Sequence, residues 1–434
     1  MTVRVACDSL VALGTATADG AVLFAKNSDR PAAEPQPLVQ APARRYAPGT
    51  PLRCTYIEIP QAAETARLIG SRPYWCWGFE HGLNEHGVAI GNHTVFTRDP
   101  LGGDPGLIGM DLVRLGLERA RTAAQAVEVI TALAAAHGQG GSGYDDKDWP
   151  YHNSFLIADR REAYRLETSD RRWAVRQVRE LDSASNHLGI GADWDALADG
   201  TIEHAVANGW WPESADGRFD FAAAYRDTSM APEAISSGRH RRTCELLAAD
   251  RGRLTPARLR AALRDHYGTD AHRAAEAPDD ERFFAVCMHA DPVGTTTASM
   301  IARLPEDGDD LLRYWGSLGS PCVGVFLPSY VDGELPAALA RGGAEPTPDA
   351  PWWRFKHLLT LVEADVPRRG PHARAFWDEF EHMLDGEAAE VEHKVLRLRR
   401  AGQHDSAARL LTRFMDANLA LALERLERLI GELS

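Results

Sequence analysis

The sequence lacks the features that define several large classes of protein. None of its apolar runs approaches the ~20 consecutive residues of a membrane-spanning helix. Cysteine is sparse, with 6 residues in 434 and no CxxC pair, so we expect neither a disulfide framework nor a CxxC metal or redox motif. Internal repeats, low-complexity tracts and the apolar stretch of a secretory signal are also missing. We therefore expect a cytoplasmic globular protein with reduced thiols.

Basic residues are scarce relative to acidic ones. The chain has 48 Lys and Arg against 62 Asp and Glu, which gives a net charge of -14. An acidic surface repels phosphate backbones. The one dense basic run, Arg239, Arg241 and Arg242, is too short to follow a nucleic-acid strand. We therefore expect neither a nucleic-acid partner nor a membrane partner.

The remaining composition, 44% hydrophobic and 25% charged, is that of one large globular domain or two smaller ones. Apolar periodicity and turn residues predict strands at 9–17, 21–26, 55–59, 88–95, 153–158, 163–168, 283–289 and 295–304. The same signals predict helices at 107–119, 122–137, 239–250, 255–266, 370–400 and 405–432. This order favours an α+β fold with antiparallel sheet over a regular βαβ fold.

A Gly/Pro-rich stretch at 342–351 predicts a linker between a main domain and a C-terminal helical segment, 352–434. Leu411, Met415 and Leu419 begin an apolar stripe at helical spacing in that segment. We expect the stripe to pack on the main domain or on a second subunit, and a homo-oligomer would form through the C-terminal helices in the second case.

Two further patterns carry little functional weight. The glycines of 138–143 fit G-x-G-x-x-G, but they follow a predicted helix, whereas dinucleotide binding needs a strand, a turn and then a helix. His81, His86 and His93 crowd one region without the spacing of metal ligands. We therefore predict a loop at 138–143, no metal site and no organic cofactor.

Cys7 opens the first strand pattern and follows a small residue, Ala6. If the bond between them were cut, Cys7 would carry both a thiol and a free α-amine, whose pKa of ~8 suits a general base. Nucleophile and base on one residue are the basis of N-terminal nucleophile chemistry. A buried strand cysteine with a packing role is the alternative interpretation.

The segments around and after Cys7 favour the first interpretation. They resemble, in order, the secernins, which belong to the cysteine dipeptidase family of N-terminal nucleophile (Ntn) hydrolases. The resemblance covers roughly residues 7 to 330, and the C-terminal helices add little to it. The segments that carry it are 7–13, 16–20, 24–31, 75–78, 84–92, 109–119, 138–141, 185–186 and 238–242.

The resemblance implies a four-layer αββα sandwich over residues 7–341, with a C-terminal helical extension. It also implies that residues 1–6 form a short propeptide, removed autocatalytically or by trimming. The mature chain would then begin with Cys7 at the end of a central strand.

By the same resemblance, each catalytic role falls on one residue. Cys7 would be the nucleophile and Asp29 would hold its α-amine. Asn92 would contribute to the oxyanion hole, and Asn186 would complete it or position substrate. Arg239 would brace Asp29 and the new N-terminus. Each residue taken singly also has a purely structural interpretation, and Arg241 or Arg242 could hold the role of the arginine instead.

Substrate binding is expected from Lys26, Trp75, Trp77 and the loop 138–152. The related bile-salt and penicillin V amidases carry an arginine where this chain has Lys26. A lysine keeps the charge that supports a thiolate but not the planar fork of a guanidinium.

The function implied is that of a dipeptidase-type cysteine amidohydrolase acting on a small peptide or amide through a thioester. Two alternatives stay open. The same site could serve an acyltransferase or a non-peptide amidase, or the fold could be kept in a non-catalytic interaction protein.

Overall fold

The computed structural model describes residues 6–101, 104–213, 217–230, 234–307 and 310–434. Its strands are β1 (Ala6–Ala12), β2 (Val22–Arg30), β3 (Leu38–Ala41), β4 (Arg44–Arg45), β5 (Pro51–Arg53), β6 (Glu58–Pro60), β7 (Glu64–Thr65), β8 (Leu68–Ser71), β9 (His81–Asn84), β10 (Ala89–Val95), β11 (His152–Ala158), β12 (Ala163–Ser169), β13 (Arg172–Gln177), β14 (Leu181–Ala184), β15 (Ala196–Leu197), β16 (His289–Ala290), β17 (Gly294–Leu304), β18 (Arg313–Leu318) and β19 (Leu327–Ser329).

The helices are α1 (Gly109–Arg119), α2 (Ala123–His137), α3 (Thr201–Ala207), α4 (Phe221–Tyr225), α5 (Ala234–Ala249), α6 (Pro256–Leu263), α7 (Pro351–Glu363), α8 (Val366–Arg400) and α9 (His404–Leu433). Short 3-10 helices cover Gly14–Ala16, Glu281–Phe283 and Ala337–Ala340. Across the described residues, no helix combines the length and the apolar character needed to cross a membrane.

The strands form two large antiparallel sheets. In the first sheet the order is β14-β1-β2-β17-β18-β19, with β16 also paired to β17. In the second sheet the order is β15-β13-β12-β11-β10-β9-β8-β3. The pairs β4-β7 and β5-β6 form two small ribbons. A mixed helix and sheet structure with antiparallel sheets, as the sequence predicts, is therefore present.

The two large sheets face each other across an apolar core. Val11 and Phe24 of the first sheet pack in one cluster with Leu83 and Leu156 of the second. Helices α1 and α2 cover the second sheet with a separate apolar cluster, and α5 and α6 contact β1, β2, β14 and β17 of the first. The strand β1, which carries Cys7, therefore lies between covering helices and the facing sheet.

The C-terminal helices pack on one another and on the first sheet. α7 contacts β18, and both α8 and α9 contact β19. The predicted apolar stripe is buried in the same chain, since Leu411, Met415 and Leu419 all lie in its apolar clusters. A domain boundary at 342–351 and association through these helices both stay predictions.

Local signals placed several elements correctly. Asp19 and Gly20 turn the chain between β1 and β2, and Gly20 takes a φ of 78°, which glycine adopts without strain. Thr122 caps α2 by accepting a hydrogen bond from the Gln125 N–H. Both elements follow from turn and cap chemistry within a few residues.

Other strand predictions are wrong. The strand expected at 283–289 is absent, because 284–288 are a buried irregular segment between a 3-10 helix and β16. The strand expected at 9–17 ends at Ala12, and a 3-10 helix begins at Gly14. Of the strand expected at 55–59, only residues 58–59 lie in a strand, β6. At 284–288 the apolar pattern marked burial rather than an extended ladder.

Candidate active site

Cys7 lies in β1 with its backbone nitrogen held by a side chain. β1 runs between β2 and β14, and Cys7 pairs with Ser28. Its side chain is buried, and its backbone N–H donates to Asn186 Oδ1 over 2.7 Å. Residues 1–5 of the predicted propeptide lie outside the described part of the chain. The polar contact is thus made to the atom that cleavage after Ala6 would turn into an α-amine.

Asn186 presents its amide oxygen to Cys7. The same Oδ1 accepts a hydrogen bond from Arg239 Nη2 at 2.9 Å, while Nδ2 donates to the backbone oxygen of Thr94 at 3.1 Å. Two donors on one atom and an acceptor on the other fix the orientation of the amide. The geometry differs from that of an oxyanion donor, because the N–H group points away from Cys7. Asn186 is instead placed to hold the nitrogen of Cys7.

Arg239 reaches this cluster from α5 and is fully buried. Its Nη1 donates to Asp8 Oδ2 at 2.5 Å and lies 3.7 Å from Asp29 Oδ2. Its Nε donates to the backbone oxygen of Ile235 at 2.7 Å, one turn earlier, which fixes the guanidinium. Arg239, which was predicted to hold Asp29, therefore pairs with both Asp29 and Asp8. Asp8 was not predicted from the sequence, although this residue follows Cys7 directly.

The two neighbouring arginines point elsewhere. Arg241 is exposed and pairs with Glu281, and Arg242 pairs with Asp265. Arg239 is thus the arginine of this run that faces Cys7.

Asp29 lies on β2 next to the start of β1. Thr296 Oγ1 of β17 donates to its Oδ1 at 2.5 Å. Burial raises the pKa of Asp29 to about 7; the charge of Arg239 opposes this shift and that of Asp8 adds to it. In the uncleaved chain Asp29 can therefore take up or release a proton near neutral pH.

Lys26 links the cluster to Asn92 on β10 of the facing sheet. Lys26 is fully buried, and its Nζ contacts the backbone oxygen of Glu80 at 2.8 Å, Glu80 Oε2 at 3.1 Å and Asn92 Oδ1 at 3.2 Å. The amide oxygen of Asn92 is thereby occupied. Its Nδ2 makes only long contacts, to Asn153 Oδ1 at 3.4 Å and to Met110 Sδ at 3.8 Å. Asn92 is therefore a donor that is oriented but weakly bonded.

The thiol of Cys7 is protonated in the uncleaved chain. Burial raises its pKa to about 12, the charge of Lys26 acts against this, and those of Glu80 and Asp29 add to it. A reaction at this sulfur therefore needs a base that removes its proton.

The two predicted tryptophans lie in different places. Trp75 is half-buried against Ile108 and Met110, and Met110 also contacts Asn92. Trp77 packs on the α1 side of the second sheet, where Arg114 lies 4.1 Å from its ring centroid. Trp75 thus lies near Asn92, with Met110 between them, whereas Trp77 packs against α1.

The loop 138–152 also borders the site. Arg30, on β2 beyond Asp29, donates to the backbone oxygen of Gly143 at 2.6 Å and lies 4.4 Å from the Tyr144 ring centroid. Tyr151 donates to Met110 Sδ at 3.5 Å. The loop therefore places two buried tyrosines against the residues around Cys7 and Asn92.

The side chains that could share a metal ion lie away from the histidines singled out in the sequence. Among the described residues, His81, His86 and His93 belong to no group of side chains that could share an ion. His93 instead lies 2.7 Å from Ser9 Oγ through its Nε2. The groups that could hold a metal surround His289.

Comparisons with known proteins give distant similarities. No protein-family model matches the chain. The structure is similar to that of penicillin V acylase from Agrobacterium tumefaciens, with a TM-score of 0.41 and 14% identity over 75% of this chain and 86% of the acylase. The structure is also similar to that of a mutant conjugated bile acid hydrolase from Clostridium perfringens. Here the TM-score is 0.37 and the identity is 11%, over 71% of this chain and 88% of the hydrolase.

A Caenorhabditis elegans ortholog of N-acylethanolamine-hydrolyzing acid amidase has a TM-score of 0.32 and 9% identity, over 68% of this chain and 92% of that protein. These similarities are too weak to establish the fold or the activity of this chain.

Proposed function

We propose that this chain is a cysteine amidohydrolase of the dipeptidase type, built as an αββα Ntn-hydrolase sandwich with a C-terminal helical extension. The observation that carries the proposal is the hydrogen bond from the backbone nitrogen of Cys7 to Asn186, inside a buried cluster with Asp29 and Arg239. A cysteine with only a packing role needs no such polar environment around its nitrogen. The ordered resemblance to the cysteine dipeptidases over residues 7 to 330 supports the same conclusion.

Cleavage after Ala6 would complete the site. Ala6 lies opposite Asp29 in the pairing of β1 with β2, so the new α-amine would form beside that carboxylate. Asn186 Oδ1 would accept one of its N–H groups. The amine must be neutral to act as a base, and the shared salt bridge of Arg239 draws the negative charge of Asp29 away from it.

The reaction then follows from these positions. The α-amine of Cys7 takes the thiol proton, and the sulfur attacks the amide carbonyl carbon to form a tetrahedral intermediate. The C–N bond breaks, and the ammonium gives its proton to the leaving amine. Water, activated by the same amine, attacks the thioester, and the sulfur leaves with its electron pair to give the carboxylic acid and regenerate Cys7.

Asn92 is proposed as an oxyanion donor. Lys26 holds its oxygen, so its N–H group is directed away from the lysine, where it makes only long contacts. A negatively charged oxygen would bond this donor better than either present partner does. Lys26 would also favour the thiolate of Cys7 by its charge, since Glu80 keeps the ammonium group in place.

The test combines turnover with trapping of the acyl-enzyme. A panel of dipeptides and simple N-acyl amides is offered to wild type, Cys7→Ala and the matched buried-cysteine control Cys54→Ala. We expect hydrolysis by wild type and the control, none by Cys7→Ala, and an acyl adduct on Cys7 in acid-quenched mass spectra. Products that form only with an added amine would indicate the acyltransferase alternative. A folded wild type that starts with Cys7 yet hydrolyses no member of the panel and forms no adduct would indicate the non-catalytic alternative.

A further inference from the structure

A second buried cluster lies away from Cys7 and brings together two cysteines and two histidines. His266 follows α6, Cys287 lies in the irregular segment 284–288, His289 begins β16, and Cys322 follows β18. All four side chains are buried, and one potential ligand atom from each lies within 4.8 Å of the others. None of these residues takes part in the chemistry proposed for Cys7.

The distances within the cluster suit a tetrahedral ion. Zinc bonds of about 2.0–2.3 Å to nitrogen and sulfur place the ligand atoms of a tetrahedron roughly 3.3–3.8 Å apart. His289 Nε2 lies 3.3 Å from Cys322 Sγ and 3.5 Å from Cys287 Sγ. Two edges of such a tetrahedron, both from His289 Nε2, therefore already have the required length.

The orientation of the histidines supports the same conclusion. His289 directs Nε2 to the two sulfurs, while its Nδ1 lies 3.4 Å from Glu363 Oε1. A carboxylate on the far nitrogen is the usual outer partner of a metal-binding histidine. His266 Nε2 is buried and has no hydrogen-bond partner among the described residues. A buried imidazole nitrogen without a partner is costly unless a ligand satisfies it.

The sulfur chemistry fits a cation as well. Cys287 and Cys322 supply two sulfur donors to the cluster, and His266 and His289 supply two imidazole nitrogens. The thiolate is the form of cysteine that binds metals. Two thiolate and two imidazole ligands are the Cys₂His₂ set of structural zinc sites.

Solvent has a route to the cluster. His266, His272 and Cys322 line one wall of a cavity of about 670 Å³ between α6 and α8. His272 stacks on His289 with ring centroids 3.9 Å apart, and its Nε2 lies 3.9 Å from Cys322 Sγ. His266 and Cys322 thus border the cavity directly, and an ion can reach the cluster from that side.

We propose that His266, Cys287, His289 and Cys322 bind one zinc ion in a structural site. Four protein ligands fill the coordination of zinc and leave no open position for substrate. The ion would cross-link three segments that are far apart in sequence: the end of α6, the irregular segment 284–288 and the turn after β18. This assignment differs from the absence of a metal site predicted from the sequence.

The site would also hold part of the Cys7 cluster in place. Met288, between two of the ligands, donates its backbone N–H to Thr296 Oγ1 at 2.8 Å. The same hydroxyl donates to Asp29. The metal would therefore act on Asp29 as a positioning device through Thr296, while it takes no part in the reaction.

The test begins with the metal itself. The untagged full chain is expressed in zinc-supplemented medium, and zinc, iron and copper are measured per polypeptide by mass spectrometry. We expect one zinc per chain, and after exchange with cobalt we expect the visible bands of a tetrahedral thiolate-bound cobalt ion. Stoichiometric iron or copper instead of zinc, no metal at all, or a disulfide between Cys287 and Cys322 would overturn the proposal.

Variants then test the ligands. Cys322→Ser and His289→Gln should lose the zinc, whereas the controls Cys54→Ser and His86→Gln should keep it at one per chain. His272→Gln should keep the zinc and His266→Gln should lose it; the reverse result would overturn the assignment of the fourth ligand.

A wild-type measurement covers the case in which the ligand variants do not fold. A chelator should release the zinc and expose two further thiols to a thiol reagent, and added zinc but not magnesium should protect them again. Thiol exposure that is unchanged by the chelator would contradict the proposal. Because these readouts do not use turnover, they stand whether or not the chain hydrolyses dipeptides.

Discussion

Cys7 and Cys322 are both buried cysteines, yet their surroundings shift the pKa values of the two thiols in opposite directions. Burial raises the pKa of Cys7 to about 12, with only partial opposition from Lys26. At Cys322 the hydrogen bond from Cys287 and the charge of His289 outweigh burial, and the pKa lies well below the usual range. Burial is common to both, so the neighbours decide the protonation state. Cys7 therefore carries a thiol that must lose its proton during a reaction, whereas the surroundings of Cys322 favour the thiolate form.

The largest expected effect separates these two roles by mutation. Cys7→Ala should abolish amide hydrolysis and leave the melting temperature nearly unchanged, because the side chain is small and the fold does not depend on its sulfur. Cys322→Ser should lower the melting temperature and still leave measurable turnover. Rates with the best dipeptide and thermal unfolding of both variants check this. Loss of activity in both with equal loss of stability would make the two cysteines equivalent and break the comparison.

The next effect concerns the arginine beside Cys7. Arg239→Ala leaves Asp8 and Asp29 buried without their cation, and removal of one partner of a buried ion pair costs about 3–5 kcal/mol. Arg241→Ala, on the same helix, should leave stability unchanged because its pair with Glu281 is exposed. Urea unfolding of the two variants gives the comparison. Equal stability of both would show that the buried cluster does not hold the N-terminal strand.

Asn92→Ala should then lower kcat by about 10²–10³, the usual effect of one oxyanion donor, with a small change in KM. The exposed Asn208, whose side chain donates to the backbone oxygen of His204, provides the control Asn208→Ala, for which we expect wild-type kinetics. A loss in KM alone for Asn92→Ala would assign the residue to substrate binding instead.

The last effect is a pH dependence of stability in the chain that retains Ala6. The folded pKa of Asp29 is about 7, above its ordinary value of 3.8, so the folded state binds the extra proton. The contribution of this group to stability is therefore fully present below about pH 4 and is lost as the pH rises towards 7. Asp29→Asn should flatten that slope in urea unfolding between these values. A variant whose slope matches wild type would place the folded pKa near its ordinary value.

The parts of the molecule that follow from short-range rules could be predicted. The Asp19-Gly20 turn and the Thr122 cap are set by residues a few positions apart. The ordered resemblance implied that Cys7 lies at the end of a central strand, and Cys7 is indeed the second residue of β1, which pairs with β2 and β14.

The contacts that bring distant segments together could not be predicted. The role of Asp8 depends on Arg239 from a helix over 200 residues away, and the amide orientation of Asn186 depends on Thr94. The cysteine and histidine cluster is spread from His266 to Cys322, and only the pair Cys287 and His289 is close in sequence. The apolar pattern at 283–289 predicted a strand instead. A buried irregular segment gives the same apolar pattern as a buried strand, so the sequence could not distinguish the two.

The central claim is that Cys7 acts with a free α-amine, and intact mass combined with N-terminal sequencing of the active enzyme tests it most directly. The account predicts that purified protein with dipeptidase activity has lost residues 1–6 and begins with Cys7. A Cys7→Ala chain should show whether the removal is autocatalytic, since it would then retain them. Full activity in a preparation whose chains all begin with Met1 or Thr2 would contradict the account.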